Sequence, residues 1–213
     1  MRMHYPLSPQ VAIVANGEIS SYSQTKHLLS SFSKIIAVDG GLKHCQKMGV
    51  TPCLLIGDLD SLEKEVLEQY ADLPLLKYPE DKNESDLELA IHKLLMEKVG
   101  SIALFGVLGK RSDHLLYTLY LLSRHPSQLM IESEKETIFC LQGHNRIKTF
   151  IGQTISLIPL SPVYGIRTQG LKWELQNADF DKKFMSLSNV CNSNAVEINV
   201  LSGDLICFLH KNS

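Results

Sequence analysis

Acidic residues and glycines occur together at several points in the first half of the chain, in Asp39-Gly40-Gly41, in Gly57-Asp58-Leu59-Asp60-Ser61 and at Asp86. In an extended segment, residues i and i+2 point to the same side, so Asp58 and Asp60 can reach one cation. Magnesium is commonly held by one or two carboxylates together with phosphate oxygens of a substrate. These motifs therefore predict a site for a magnesium-held polyphosphate.

Each acidic motif also has a simpler interpretation. Asp60 lies three residues before Glu63 and fits the N-cap of a helix, although capping does not account for Asp58. Gly57 adds weight to the ligand hypothesis, because a glycine lets a phosphate approach the backbone closely. The Asp39-Gly40-Gly41 motif also fits an ordinary strand-to-helix turn. The residues alone leave these alternatives open.

A second glycine-containing segment, Gly106-Val107-Leu108-Gly109-Lys110-Arg111, is similar to a phosphate-binding loop. The Walker pattern fails, because Leu104 stands at its first glycine position and Arg111 replaces the Ser or Thr that should follow Lys110. The two cations either neutralise phosphates beside the next helix start or are simply solvated. His114 is a weaker candidate, since a lone histidine at a helix start is usually structural.

The elements that must position these residues alternate between strand and helix. Short apolar runs at Val11–Ala15, Ile35–Val38, Cys53–Ile56 and Ile102–Phe105 predict buried strands of a mainly parallel sheet. Amphipathic spacing predicts helices over 86–98, where Ser85-Asp86-Leu87-Glu88 has the form of a capping box, and over 113–124, before Pro126. The loops after Val38 and Ile56 and around 106–113 should then meet at one edge of the sheet.

Beyond about residue 128 the pattern changes to β-branched runs separated by turn residues. The predicted antiparallel strands are Thr154–Leu160, Ile166–Leu175, Ala195–Leu201 and Leu205–Leu209. We therefore predict an α/β domain over 1–130 and a smaller all-β domain, sandwich-like or jelly-roll-like, over 131–213.

Polar and aromatic residues in the second part are also candidates for ligand contacts. Trp173 is the only tryptophan, and Ser186-Leu187-Ser188-Asn189 is a polar run. Core packing and a turn are the simple interpretations. Alternatively, the aromatic face stacks on a flat cationic ligand while the hydroxyls and the amide form hydrogen bonds.

Composition favours a protein that works on small molecules. The 21 Lys and Arg against 23 Asp and Glu give a formal net charge of −2, which argues against a broadly basic nucleic-acid-binding surface. The five cysteines show no metal-ligand spacing, and most of them are expected to be reduced and packed. No apolar run approaches the ~20 residues of a membrane span, so we expect no membrane partner and a cytoplasmic location.

Taken together and in order, the motifs resemble the thiamin pyrophosphokinase (thiamine diphosphokinase) family over nearly the whole chain. The motifs that carry the resemblance are Asn16-Gly17, Asp39-Gly40-Gly41, Gly57-Asp58-Leu59-Asp60-Ser61, Asp81-Lys82-Asn83-Glu84-Ser85-Asp86, Gly106 to His114, Gly170-Leu171-Lys172-Trp173 and Ser186-Leu187-Ser188-Asn189. Two departures are Ser85, where the family usually has Thr, and Lys110, where the family usually has Gly.

The resemblance implies an enzyme that transfers a pyrophosphoryl group from ATP to the hydroxyl of thiamin. It implies a catalytic domain that binds ATP and Mg²⁺, a thiamin-binding β domain, and a homodimer with thiamin between subunits. By resemblance, Asp58, Asp60 and Asp86 hold Mg²⁺ and are catalytic, one of them also accepting the hydroxyl proton. The implied ATP-binding residues are Asn16, Asp39, Gly40, Gly41, Gly57, Gly109, Arg111, Asp113 and His114. The implied thiamin-binding residues are Lys82, Trp173, Ser186, Ser188 and Asn189.

Two other functions share some of these features. A metal-dependent transferase with an Asp-x-Asp motif would use a nucleotide-sugar donor, but it leaves Trp173 and Ser188 unexplained. A non-catalytic module that senses a nucleotide or thiamin would bind without turnover, but it has less need of the acidic cluster. Product analysis distinguishes all three.

Overall fold

The computed structural model describes residues 3–5, 7–57, 64–78, 84–181 and 184–211. The chain forms two compact units, one comprising Pro9–Leu116 and the other comprising Met1–Ser8 with Tyr117–Ser213. We call them the α/β unit and the β unit. The expected domain boundary near residue 130 stays a prediction.

The α/β unit is built on a parallel sheet of five strands, β2 (Val11–Val14), β3 (Lys34–Val38), β4 (Leu54–Gly57), β5 (Leu75–Lys77) and β6 (Ile102–Phe105), while β1 (Met3–Tyr5) belongs to the β unit. The strand order in this sheet is β6-β2-β3-β4-β5. All residues of β2 and β6 are buried, as their continuous apolar sequences predict for strands covered on both faces.

Helices follow the strands of this sheet. They are α1 (Tyr22–Leu29), α2 (Gly41–Met48), α3 (Lys64–Gln69) and α4 (Asp86–Met96), and α5 (Ser112–Arg124) includes residues of both units. The Ser85 hydroxyl accepts a hydrogen bond from the Glu88 amide, which confirms the predicted start of α4. This helix ends at Met96 rather than Lys98, because Lys98 adopts a φ of 60°.

The β unit consists mainly of antiparallel strands arranged around two long ones. Its strands are β1, β7 (Leu129–Glu132), β8 (Glu136–Lys148), β9 (Thr154–Pro159), β10 (Val163–Gln169), β11 (Gln176–Phe180), β12 (Ser186–Val190) and β13 (Ala195–His210). Strand β13 pairs with β8, β9 and β10, and β12 extends the sheet beyond β9. The parallel pair of β1 with β8 is the exception.

The structure corrects three of the predicted strands in this unit. The predicted strands Ala195–Leu201 and Leu205–Leu209 are one strand, β13, whose pairing with β8 shifts between Val200 and Leu205. Gly203 lies within that irregularity with a φ of 99°, which is typical of a bulge. Turn residues therefore interrupted the sequence pattern without ending the strand.

The predicted strand Ile166–Leu175 is also wrong in its second half. Strand β10 ends at Gln169, and the Glu174 carboxylate accepts hydrogen bonds from the amides of Gly170 and Leu171. Residues 170–175 are thus a loop that is stabilised by the Glu174 side chain within it. By contrast, 186–190, for which a turn was one interpretation, form strand β12.

The predicted fold class is confirmed: a part with helices around a parallel sheet is followed by an all-β part. Fully buried Phe105, Ile13 and Leu42 contribute to the core of the α/β unit, whereas Phe139 and Phe180 contribute to that of the β unit. Among the described helices, none combines the length and apolar character that crossing a membrane requires.

Candidate functional site

The strand order of the α/β unit fixes where a ligand is most readily bound. From β2 the chain moves through β3 and β4 to β5, and then returns to place β6 on the opposite side of β2. The order therefore reverses between β2 and β6, and ligands of open parallel sheets bind outside the carboxyl ends of the strands at such a point. The loops at this point are Ala15–Glu18 after β2 and Gly106–Arg111 after β6, which we call the first loop and the fourth loop.

Backbone hydrogen bonds hold these two loops together. The amides of Gly17 and Glu18 donate to the carbonyl oxygens of Gly106 and Leu108 at 2.5 and 2.7 Å. A Cβ at Gly17 would lie 2.3 Å from the Gly106 oxygen, so a side chain would force the loops apart. The fit explains the glycine of the Asn16-Gly17 motif in terms of close loop packing.

Lys110 adds a side-chain link between the same loops. Its ammonium group donates to the backbone oxygen of Asn16 at 2.7 Å and to the Asn16 Oδ1 at 3.1 Å. Lys110 has a φ of 51°, a conformation that a glycine adopts more easily. The residue that departs from the family pattern thus keeps the backbone conformation expected of glycine and adds a cross-loop contact.

The Asp39-Gly40-Gly41 motif lies at the end of β3 and begins α2. A Cβ at Gly41 would lie 1.9 Å from the Val14 carbonyl oxygen, and one at Gly40 would meet the Asn16 side chain at 2.4 Å. Both glycines therefore let α2 start directly against the end of β2. This close packing exceeds what an ordinary turn requires.

Asp39 extends toward the end of the neighbouring strand β4. Gly57, the last residue of β4, has a φ of 147°, and a Cβ there would lie 1.6 Å from the Asp39 Oδ1. The Asp39 carboxylate thus occupies the space next to the backbone that leads into Asp58. Only a glycine at position 57 permits this approach.

The predicted metal ligands are only partly described. Asp58 and Asp60, with the predicted thiamin-binding residue Lys82, lie outside the described residues. Asp86 is described and occupies the first turn of α4, partly exposed. Within the described part of the chain, no three His, Cys, Asp or Glu side chains are grouped closely enough to hold a metal ion.

The described acidic residues suit a hard cation in chemical type. Asp39 and Asp86 supply carboxylate oxygens, which Mg²⁺ prefers. The Asp39 carboxylate fills the space beside Gly57, immediately before the Asp58 motif in sequence. By chemical type, the predicted ligands Asp58, Asp60 and Asp86 could supply oxygen ligands to a magnesium ion, and Asp39 lies beside Gly57.

Arg111 and Asp113 form an exposed ion pair at the start of α5. Arg111 donates through Nε to the Asp113 Oδ1 at 3.1 Å and through Nη2 to Oδ2 at 2.5 Å. These bonds lower the pKa of Asp113 to about 2 and raise that of Arg111. His114, the next residue, is exposed. Lys110 and Arg111 are both exposed, and each also has a protein partner, Asn16 for Lys110 and Asp113 for Arg111, so the choice between solvated cations and phosphate ligands stays open.

His44 was not singled out from the sequence, yet it contacts the first loop. It is 8% exposed on α2, and its Nε2 lies 2.9 Å from the Gly17 carbonyl oxygen while its Nδ1 lies 3.0 Å from the Tyr22 hydroxyl. Burial lowers the pKa of His44, and the nearby Lys110 and Lys47 lower it further, against the raising effect of the Gly17 hydrogen bond. No local sequence pattern identifies this residue, because its partners lie in distant segments.

In the β unit, the structure brings Trp173, Ser186 and Asn189 together. Asn189 is 1% exposed; its Nδ2 donates to the Trp173 carbonyl oxygen at 2.8 Å, and its Oδ1 accepts from the Trp173 amide at 3.2 Å. The same Nδ2 lies 3.4 Å from the Ser186 hydroxyl. The Asn189 side chain is therefore directed at the protein and positions the Trp173 loop.

Trp173 is 55% exposed, so the core-packing interpretation is wrong. The Lys172 ammonium lies 4.6 Å from the ring centroid, which shows that the ring face accepts a cation. Ser188 is exposed and has a φ of 55°, and its amide donates to the Ser156 hydroxyl at 3.0 Å. This bond lies at the irregularity where β12 shifts its register on β9.

Solved structures share this fold. A thiamin pyrophosphokinase from Candida albicans is 17% identical, with a TM-score of 0.84 over 99% of this chain and 92% of that chain. The thiamine pyrophosphokinase from Bacillus subtilis is 22% identical, with a TM-score of 0.80 over 95% of this chain and 99% of that chain. At these identities the similarity shows the fold alone.

Sequence relatives include proteins from plants and bacteria. A thiamine pyrophosphokinase 1 from Oryza sativa subsp. japonica is 28% identical over 168 residues, which cover 71% of this chain and 64% of the relative. A thiamine pyrophosphokinase from Bacillus subtilis (strain 168) is 27% identical over 176 residues, which cover 78% of this chain and 82% of the relative. The chain thus matches less than two thirds of the rice relative's length.

Family models match both parts of the chain. The catalytic domain of thiamin pyrophosphokinase matches residues 25–133, and the vitamin B1 binding domain of thiamin pyrophosphokinase matches residues 142–205. The first match includes Asp39, Asp58, Asp60, Asp86 and the fourth loop, and the second includes the Trp173 loop and Asn189. The chain therefore belongs to the thiamin pyrophosphokinase family.

Proposed function

We propose that this protein is a thiamine diphosphokinase that transfers the pyrophosphoryl group of ATP to the hydroxyl of thiamin. The observation that carries the proposal is the joining of the first and fourth loops at the switch point of the parallel sheet. This is where open α/β sheets bind ligands, and it lies in the α/β unit that contains the predicted acidic residues. Family membership supplies the reaction and its substrates.

The reaction forms one bond and breaks another at the β-phosphorus of ATP. The thiamin hydroxyl oxygen attacks that phosphorus, the bond to the bridging oxygen of the α-phosphate breaks, and AMP leaves with the electron pair. The hydroxyl proton passes to a base, and our candidate for that base is the carboxylate of Asp58, Asp60 or Asp86. Because charge is spread over phosphate oxygens during such a transfer, catalysis should depend mostly on positioning and on cations.

The α/β unit would bind ATP through the loops that follow its strands. Asn16 and Gly109 belong to the first and fourth loops, and the amides near the start of α5 suit an anion. Arg111 would leave Asp113 and bind a phosphate. Both side chains of this ion pair are exposed, so no packed core opposes the change. Asp39, Gly40, Gly41, Gly57 and His114 complete the proposed set.

Asp58, Asp60 and Asp86 would hold Mg²⁺ and be catalytic, with the Asp39 carboxylate beside Gly57. When bound, the metal would neutralise charge on the phosphate oxygens. The support from this chain is the carboxylate donor set and the space beside Gly57 that the Asp39 side chain fills. Replacing either Asp58 or Asp86 by Asn should abolish transfer and leave the fold intact.

The β unit would bind thiamin, as its match to the vitamin B1 binding domain suggests. The exposed Trp173 ring offers a face that already carries the Lys172 cation, so a cationic thiazolium is a suitable replacement. Ser186 and Ser188 would contribute hydroxyls, Lys82 a cation, and Asn189 would act through the Trp173 backbone. We also propose the domain division near residue 130, a homodimer with thiamin between subunits, and a cytoplasmic location.

Product identification tests the proposed function. Purified protein incubated with thiamin, ATP and Mg²⁺ should yield AMP and thiamin diphosphate, measured by mass spectrometry. ADP as the sole nucleotide product would refute the proposal, and hydrolysis of a nucleotide sugar would favour the alternative transferase. Binding of thiamin and ATP without product would favour the sensing module.

A matched pair of variants tests the proposed metal-binding aspartates. Asp86→Asn removes a carboxylate at the start of α4 and should reduce transfer at least a hundredfold, whereas Asp72→Asn removes an exposed carboxylate from a turn outside the site and should not change it. Circular dichroism of both variants checks the fold. Equal activity in the two variants would discard the role of Asp86.

A further inference from the structure

The first loop is held from within the protein by a buried histidine. Nε2 of His44 faces the Gly17 carbonyl oxygen at 2.9 Å, and because a carbonyl oxygen only accepts, Nε2 must carry the proton. In the neutral ring Nδ1 then has a lone pair, which accepts from the Tyr22 hydroxyl at 3.0 Å. Both nitrogens of the 8% exposed ring are thus satisfied in one tautomer.

The Gly17 peptide segment makes hydrogen bonds to two separate elements. The Gly17 amide donates to the Gly106 oxygen, while the Gly17 carbonyl accepts from His44. One peptide segment therefore joins the fourth loop on one side and α2 on the other. Since α2 begins at Gly41 within the Asp39-Gly40-Gly41 motif, His44 connects two of the loops that surround the proposed nucleotide site.

We propose that His44, held as the Nε2–H tautomer by the Gly17 carbonyl oxygen, is a positioning residue that fixes the Asn16-Gly17 loop for nucleotide binding. The inference rests on the proposed function for its choice of ligand. It does not require His44 to touch the substrate or to exchange a proton with it.

The chemical consequence is a preference for the neutral ring. Protonation would place a second N–H against the Tyr22 hydroxyl and a charge near Lys110 and Lys47. Since the pKa of His44 in the fold lies below its ordinary value of 6.5, the unfolded chain binds the additional proton first. The contribution of His44 to stability is therefore complete above about pH 6.5 and decreases as the pH falls below that value.

Nuclear magnetic resonance tests the tautomer without any substrate. In the ¹⁵N-labelled protein at pH 7.5, His44 should show a protonated Nε2 and an unprotonated Nδ1. The Tyr22→Phe variant removes the hydroxyl beside Nδ1 but keeps the Gly17 carbonyl oxygen, so the Nε2–H tautomer should persist in that variant. A wild-type protein with Nδ1 protonated would overturn the proposal.

Amide hydrogen exchange then tests the position of the loop. The amides of Gly17 and Glu18 donate to the fourth loop and should exchange more than tenfold faster in His44→Ala than in the wild type. His44→Gln retains an N–H that can reach the Gly17 oxygen and should restore part of the protection. His27→Gln changes an exposed histidine on α1 and serves as the control.

Steady-state kinetics connects the loop to the nucleotide. In His44→Ala the KM for ATP should rise roughly three- to tenfold, as expected for loss of one hydrogen bond, with kcat within about twofold of the wild type. The KM for thiamin should not change. A lower kcat at an unchanged KM for ATP would indicate a merely structural role and would overturn the proposal.

The two proposals fail in different ways. If the wild type makes no thiamin diphosphate, the proposed function is lost, while ATP affinity measured by calorimetry on the same variants still tests the positioning role. If the wild type is active and His44→Ala binds ATP as the wild type does, the positioning role is lost and the proposed function stands. His44→Gln and Tyr22→Phe retain most of the side-chain volume and cover the case in which His44→Ala does not fold.

Discussion

The Asn189 side chain is the clearest example of a buried polar group that supports an exposed aromatic one. Its Oδ1 accepts from the amides of Trp173 and Val190, and its Nδ2 donates to the Trp173 oxygen. A buried amide that loses such partners leaves backbone groups unsatisfied, which costs more than the hydrogen bonds themselves contribute. The position of the Trp173 ring therefore depends on Asn189, which forms its hydrogen bonds with the Trp173 backbone.

We predict that Asn189→Ala lowers the free energy of unfolding by about 2–3 kcal/mol. The Trp173 fluorescence should change as the loop loses its anchor, and the KM for thiamin should rise. Urea denaturation followed by tryptophan emission gives the free energy of unfolding, and the emission of the native protein shows the environment of Trp173. Asn192→Ala, at an exposed position, should change stability by less than about 0.5 kcal/mol. Similar values for the two variants would contradict the anchoring role.

Lys110 combines a strained backbone with a favourable side-chain contact, and two substitutions separate these effects. Lys110→Ala keeps a Cβ at φ 51° and removes the ammonium group, whereas Lys110→Gly also removes the strain. We expect the glycine variant to be more stable than the alanine variant by about 1 kcal/mol. Chemical denaturation measures the difference.

Both Lys110 variants lose the bonds to Asn16 and should share a raised KM for ATP. A rise in only the alanine variant would attribute the effect to the backbone instead of the ammonium group. An unchanged KM in both would show that the link between the loops has no part in nucleotide binding.

At the scale of elements, the packing of α2 against β2 depends on the absence of a side chain. A Cβ at Gly41 would lie 1.9 Å from the Val14 carbonyl oxygen, a backbone atom that cannot move without disturbing the strand. Helix α2 carries both the Asp39 motif at its start and His44 in its interior. Its distance from the sheet therefore determines the geometry of two parts of the proposed site.

We predict that Gly41→Ala destabilises the protein by about 3 kcal/mol or more, because either the helix or the strand must shift. Gly100→Ala provides a matched control, since a Cβ there meets nothing within 4 Å. That variant should lie within about 0.5 kcal/mol of the wild type. Thermal and urea denaturation of both proteins give the comparison, and equal stability would show that α2 has room to move.

For the whole molecule, the exposure of the cysteine thiols shows how closely each of the two units is packed. Cys45, Cys140, Cys191 and Cys207 are buried, and Cys53 is exposed, with all five described as free thiols. Burial raises the pKa to about 12 for Cys45 and Cys140 and to about 11 for Cys191. The prediction that most cysteines are packed is confirmed, and their reduced state stays a prediction.

We therefore expect a disulfide reagent at pH 8 to modify one thiol rapidly in the native protein and five after unfolding. Cys53→Ser should abolish the rapid phase, because the remaining thiols are both inaccessible and protonated. The absorbance of the released thiolate counts the groups. Two or more rapid thiols in the native protein would show that one of the cores opens readily.

Local sequence patterns predicted the elements on which the site is built. The strand over 102–105 was predicted with its observed bounds, and those of β2, β3 and β4 within one residue, because a continuous apolar run is stable only when both faces are covered. Ser85 marked the start of α4 because a cap acts within one turn. The strands of the β unit were less predictable, since bulges and turns share the same residues, as at Gly203 in β13.

The sequence by itself determined the fold class, the family and the positions of the loops, since these depend on residue order and on interactions within a few residues. Only the tertiary structure decided which of those loops touch. Lys110 binds Asn16 across 94 positions, His44 binds Gly17 across 27, and Asn189 binds Trp173 across 16. Such contacts follow from strand order and register, which bring distant segments to one place and which no local pattern of residues encodes.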